Sequence, residues 1–88
     1  MSQRTAVVAS AQGLHARPAS DFVAAASRSP VPVTIAKDGA TPVPAGSILS
    51  VMSLGVKQGD TVVLEAAGDG AEETLDELVT MLEKEDGK

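Results

Sequence analysis

The 88-residue sequence contains no cysteine, no tryptophan and no tyrosine, one phenylalanine and one histidine. Without cysteine there is neither a disulfide framework nor a thiolate metal site, and a lone histidine leaves structural zinc without a ligand set. No metal or other cofactor is therefore expected, and the core must be built from Ala, Val, Leu, Ile and Met around Phe22. No stretch approaches the ~20 apolar residues of a membrane-spanning helix. The opening Met1-Ser2-Gln3-Arg4-Thr5 lacks the basic region and apolar run of a secretory signal, so a soluble cytoplasmic protein without membrane insertion is expected. The net charge of −5 and the absence of interleaved aromatic residues on which bases could stack argue against nucleic acid as a partner. The length suits a single domain over residues 1–88, with room for one core.

Charge is unevenly placed. Residues 1–59 hold five bases (Arg4, Arg17, Arg28, Lys37, Lys57) and two acids, whereas residues 60–88 hold two bases and ten acids. The acids chiefly solvate a C-terminal helix, while the basic first part suits an anionic substrate or an acidic partner surface.

Hydrophobic spacing predicts the order β-α-β-β-α-β-α. Arg4 to Ala9 reads as a strand, closed by Ser10-Ala11-Gln12-Gly13. From Ala16, the positions Ala19, Phe22, Val23 and Ala26 share one helical face, and Ser27-Arg28-Ser29-Pro30 stops that helix. Val31, Val33 and Ile35 alternate with smaller or polar residues in a second strand. Asp38-Gly39 then predicts a two-residue hairpin into a third strand over Ala40 to Pro44, which its two prolines confine to a sheet edge. Ser47 suits the cap of a short helix ending near Leu54-Gly55. Thr61 to Ala67 is a fourth strand, and Leu75, Leu78, Val79 and Leu82 form the buried stripe of a last helix, with Glu72 and Glu73 in its first turn and Lys84 in its last. Helices must then cover one face of a sheet whose other face is polar, which makes an α/β (α+β) open-faced β-sandwich the expected fold.

The chemistry-bearing segment is Gly13-Leu14-His15-Ala16-Arg17-Pro18-Ala19-Ser20. A glycine-led turn runs into a helix whose free first-turn N–H groups and positive dipole end attract an anion, and proline is tolerated there because it has no N–H to leave unpaired. His15 would stand at the mouth of that anion site, and neutral imidazole with a reference pKa of about 6.5 attacks phosphorus without a metal. Arg17 adds a guanidinium fork suited to phosphate oxygens. From the residue types alone, a plain helix-start or surface histidine is an equally open reading. The short helix from Ser47 poses a second choice: Val51 and Leu54 are spaced to face the sheet, while Ile48, Leu49 and Met52 are either further core or an outward apolar patch.

The string Gly-Leu-His-Ala-Arg-Pro-Ala, followed some thirty residues later by Gly46-Ser47-Ile48-Leu49-Ser50-Val51-Met52-Ser53-Leu54-Gly55-Val56, closely resembles the histidine-containing phosphocarrier family, HPr, of the bacterial sugar phosphotransferase system. That resemblance implies a carrier and not an independent enzyme: His15 takes a phosphoryl group from phospho-enzyme I and passes it to enzyme IIA domains that feed sugar uptake. It implies a four-stranded antiparallel sheet covered on one face by three helices, with the third strand at its edge, phosphate stabilisation by Arg17, and a docking surface of Ala16, Arg17, Ser20, Ile48, Leu49 and Met52; a monomer is expected. Ser47 stands where many members carry a serine modified by HPr kinase. Regulated members often have lysine immediately before that serine and glycine three positions after it, where this chain has Gly46 and Ser50, so a helix cap and a regulatory site both stand as readings of Ser47. A regulatory paralogue acting on kinases or transcription regulators is a further alternative, as is a binding module that works through Ser47 alone. Relatives that only regulate transcription lack the histidine, which counts against the last.

Overall fold

A computed structural model describes residues 2–9 and 16–83, with only the backbone path given for residues 16–19. Its elements are β1 (Ser2–Val7), α1 (Ala16–Ser27), β2 (Val33–Lys37), β3 (Val43–Pro44), α2 (Ile48–Ser53), β4 (Thr61–Ala66) and α3 (Ala71–Glu83). The strands form one antiparallel sheet in the order β1-β4-β2-β3, with β4 paired to β1 from Ser2↔Ala66 to Val7↔Thr61 and to β2 from Val33↔Ala66 to Lys37↔Val62.

Alternation decides which face is covered. Val62, Leu64 and Ala66 of β4, Val33 and Ile35 of β2 and Ala6 of β1 are buried on one side, where they meet Phe22 of α1, Val51 of α2 and Leu75, Leu78 and Leu82 of α3 in a single apolar cluster. The opposite face carries Gln3, Thr5, Thr34, Val63 and Glu65 and, among the described residues, no helix, with Gln3 Nε2 donating to Glu65 Oε2 across neighbouring strands at 3.2 Å. One solvated face is the usual condition of an antiparallel sheet, and the open-faced sandwich expected from the alternation is the architecture observed. Arg4 closes the β1 edge against α3 through Nε donating to Asp76 Oδ1 at 2.9 Å.

Three details depart from the sequence reading. The first strand spans Ser2–Val7 instead of Arg4 to Ala9: Ser2 and Gln3 lie in the β4 ladder, whereas Val8 and Ala9 leave it and bond to the loop before β4 and to α3. The second begins only at Val33, beyond Pro32. At Asp38-Gly39 the tight turn forms, with Ala40 N–H donating to the Lys37 carbonyl at 2.8 Å and Gly39 at φ +84°, but no two-residue hairpin ladder follows it. Such a ladder would oppose Ile35 to Pro42. The observed register opposes Ile35 to Val43 and Thr34 to Pro44. A one-residue slip exchanges the two faces of a strand, and this one sets Val43 against the core beside Ile35. The third strand is correspondingly two residues long and lies at the sheet edge, as its prolines require. Lys84 lies outside the described residues.

Between α2 and β4, Lys57-Gln58-Gly59-Asp60 makes a compact turn. Asp60 N–H donates to the Lys57 carbonyl at 3.0 Å, and Asp60 Oδ2 accepts the Lys57 N–H at 2.9 Å. Gly59 supplies the positive φ of +89° at the third place of the turn. Lys37 Nζ lies 3.6 Å from Asp60 Oδ2 and donates to the Gly55 carbonyl at 3.5 Å, so one carboxylate ties the end of β2 to this turn. The Lys57 N–H bond is the largest influence and holds the Asp60 carboxyl below the ordinary aspartate range; desolvation, next in size, opposes it, and the charge and hydrogen bond of Lys37 and the charge of Lys57 add to the lowering.

Two outcomes follow from these turns. Replacing Gly39 by Val puts a β-branched residue at positive φ and is expected to cost about 1–3 kcal/mol, while Lys57→Ala stays within about 0.5 kcal/mol; urea unfolding midpoints check the ranking. A native pKa below the unfolded value means that Asp60 stabilises the fold above the unfolded aspartate value, near 3.9, and that this contribution is lost as pH falls through the native pKa. The stability advantage of wild type over Asp60→Ala should thus be steady between about pH 5 and 8 and close in more acid solution, as read by denaturant unfolding at each pH.

Candidate functional site

α1 begins at Ala16, the residue immediately after His15, and its first turn contains Arg17 and Pro18 but no acid. A twelve-residue helix of this kind offers its N-terminal end to an anion without a competing carboxylate. His15 and Gly13 lie outside the described residues. For Ala16 and Arg17 the backbone alone is described, and it places both in the first turn of α1 as the proline spacing predicts. The helix is anchored by Phe22 and Ala26, both buried, with Val23 packed at their margin, and Ser20 is exposed one turn before Val23.

α1 packs against α2 as well as α3. Ser27, the last residue of α1, donates its hydroxyl to the Gly46 carbonyl at 3.3 Å, and a Cβ at Gly46 would lie 3.2 Å from that hydroxyl oxygen. Gly46 thus lets the start of α2 come close against the end of α1. Ser47 caps α2 from an extended conformation, its Oγ accepting the Ser50 N–H at 3.4 Å. The cap reading of this serine is therefore realised in the fold.

The choice between core and surface on α2 is also resolved. Val51 is fully buried and Leu54 packs at the edge of the core, whereas Ile48, Leu49 and Met52 are 38%, 80% and 39% exposed. A helix of six residues anchored by one valine has too little circumference to bury the other three. Among the described residues the only other exposed large apolar side chain is Val7, at the end of β1. Contact with water is unfavourable for an aliphatic and methionine cluster of this kind, and methionine re-packs readily against whatever covers it. The fold sets this cluster and Ser20 on adjacent helices, and Ser47 at the start of the same helix as the cluster. Among the described residues there is no group of three or more carboxylate or histidine side chains that could hold a metal ion.

Sequence reading overlooked Gln58 and Asp60. Gln58 Nε2 donates to the Ala9 carbonyl at 3.1 Å, and the main chains of Val8 and of Gly59-Asp60 are bonded in both directions, at 2.8 and 3.0 Å. Gly59-Asp60 signals a turn, but a contact between residues 58 and 9 has no local signature.

Comparison with known proteins agrees with this architecture. A family model described as the PTS HPr component phosphorylation site matches residues 2–84. The chain is 48% identical to the phosphocarrier protein HPr of Streptomyces coelicolor, over 93% of this chain and 88% of that protein. It is 40% identical to the HPr-like protein Crh of Bacillus subtilis, over 97% and 99%. The crystal structure of HPr-C-His from Thermoanaerobacter tengcongensis superimposes with a TM-score of 0.88 at 43% identity, covering 94% of this chain and 92% of that one. With its open sheet, its α1 start directly after a histidine and its apolar α2, this chain belongs to the HPr family, the phosphocarrier proteins of the phosphotransferase system.

Proposed function

We propose that this chain carries a phosphoryl group on His15, taking it from phospho-enzyme I, itself charged by phosphoenolpyruvate, and giving it to enzyme IIA domains that feed sugar uptake. The observation that carries this reading is the exposed Ile48, Leu49 and Met52 cluster on α2, beside the helix whose first residue follows His15. A relay must meet donor and acceptors in turn through one surface, and an adaptable apolar patch next to a reactive histidine serves that purpose. Ala16, Arg17 and Ser20 complete the docking surface from α1.

In the transfer, a lone pair of the neutral His15 imidazole forms a nitrogen–phosphorus bond as the bond to the donor histidine breaks in line. The proton shed by the newly phosphorylated ring balances the one gained by the departing imidazole, and the same exchange in reverse sense delivers the group to the next protein. Arg17 and the first-turn amides of α1 stabilise the phosphoryl oxygens. The chain then turns over only together with its partners and is not an independent enzyme. It acts as a monomer in the cytoplasm, where such partners are met; no helix of the described residues is long and apolar enough to cross a membrane. His15 together with Arg17 and Pro18 favours the carrier over a binding module that works through Ser47 alone, and Ser47 serves α2 as its cap.

Incubation with labelled phosphoenolpyruvate and enzyme I is expected to give an acid-labile phosphoprotein, and His15→Ala to give none; label that persists in the variant would reject His15. Leu49→Asp changes a largely exposed residue, so stability should move by no more than about 0.5 kcal/mol. The concentration of this protein that half-saturates enzyme I should meanwhile rise on the order of ten-fold, as measured by the rate of label transfer.

A further inference from the structure

Methionine supplies the only sulfur in a chain without cysteine. Met1 lies outside the described residues, and the two other methionines stand in opposite surroundings. Met81, on α3, is half-buried and packs against the apolar core, whereas Met52, on α2, is exposed and belongs neither to that core nor to the residues packed against it. Val51, and not its neighbour Met52, anchors the helix. Met52 lies one helical turn after Ile48, so the two exposed side chains are neighbours on the uncovered side of α2. No charged residue stands between Ile48 and Ser53, and Ser53 directs its own hydroxyl to the Ser50 carbonyl at 2.7 Å. Whatever adheres to this side of α2 is therefore held chiefly by apolar contact.

We propose that Met52 is a reversible oxidation site, at which peroxide weakens the docking of this protein on its phosphoryl donor. The inference rests on the reading of the α2 cluster as a docking surface. Hydrogen peroxide is the oxidant: a sulfur lone pair forms a bond to one peroxide oxygen as the O–O bond breaks, and after proton transfer the other oxygen leaves as water. Sulfur gives up two electrons and the peroxide gains them. The product is methionine sulfoxide, which a methionine sulfoxide reductase returns to the thioether with two electrons from a dithiol, the oxygen again leaving as water. A sulfoxide oxygen is a strong hydrogen-bond acceptor, and covering it with an apolar partner surface that offers no donor is unfavourable. Because Met52 takes no part in the core, the change falls on recognition and leaves the fold intact.

The test compares wild type, Met52→Leu and Met81→Leu, each before and after treatment with hydrogen peroxide, the excess being removed with catalase before labelled phospho-enzyme I is added. Mass spectrometry of the digested protein locates the sulfoxides, and label uptake is followed over a range of protein concentrations. Sulfoxide at Met52 is expected to raise the concentration that half-saturates enzyme I about ten-fold, with the maximal rate and the urea midpoint unchanged, and methionine sulfoxide reductase should reverse the rise. Met81→Leu should respond to peroxide as wild type does, whereas Met52→Leu should have one half-saturating concentration before and after treatment. Unaltered docking by wild type that carries sulfoxide at Met52 would overturn the proposal, as would an equal loss in peroxide-treated Met52→Leu. Oxidation of Met81 in preference to Met52, or a fall in the urea midpoint of the oxidised protein, would overturn it as well. In all of these cases Leu49→Asp still raises the half-saturating concentration. If Leu49→Asp leaves it unchanged, the docking surface itself is rejected, and this inference with it.

Discussion

Burial of the β4 side chains Val62, Leu64 and Ala66 beneath the helices is the interaction on which the rest of the molecule depends. Of the four strands, β4 alone has a long partner on each side, pairing with β1 over six residues and with β2 over five, whereas the other side of β2 carries only the two-residue β3, and the inward residues of β4 meet the leucine stripe of α3 in the common core. With no disulfide available and a single aromatic ring, nothing but this aliphatic layer joins sheet to helices at the centre. Each inward methyl group therefore matters more than in a domain of the same size with covalent or metal staples.

That dependence explains why so much of α2 stays uncovered. The core consumes one stripe of α1, one stripe of α3 and a single valine of α2. What remains of α2 is apolar yet unburied, and it lies beside α1. One short helix is thus divided in three: Val51 attaches it, Ser47 starts it, and Ile48, Leu49 and Met52 are left uncovered. The acidic residues of α3, by contrast, lie on the solvated side of a helix whose inner side is leucine, which accounts for most of the negative charge without invoking a ligand.

Much of this was legible from local pattern, and the exceptions are instructive. The stripes through Phe22 and Leu75, the Ser47 cap and the edge position of β3 each follow from spacing or from one residue's chemistry, and each is present in the fold. The register after Asp38-Gly39 was not legible, because it was decided by which of Pro42 or Val43 could stand beside Ile35 on the buried face. The α2 cluster was ambiguous for a related reason, since an apolar residue reveals its need for burial but not whether a neighbour supplies it. The roles of Gln58 and Asp60 depend on contacts with Ala9 and Lys37, which no sequence window contains. Within the candidate site, the helix start after His15 was readable from Pro18 and the spacing of Phe22, whereas the outward direction of Ile48, Leu49 and Met52 required the fold.

The strand order also governs when folding can follow synthesis. β1 is made before the other strands, but its neighbour in the sheet is β4, which begins more than fifty residues later. Until β4 has emerged, β1 and β2 have no strand between them, and the chain must then close a long loop to bring Ser2 opposite Ala66. α1 and the edge pair β2-β3 are the parts able to form early, yet their apolar faces still await a central strand. The nascent domain therefore stays open until β4 emerges and consolidates only then, when one late strand completes the sheet and gives α3 a surface on which to settle.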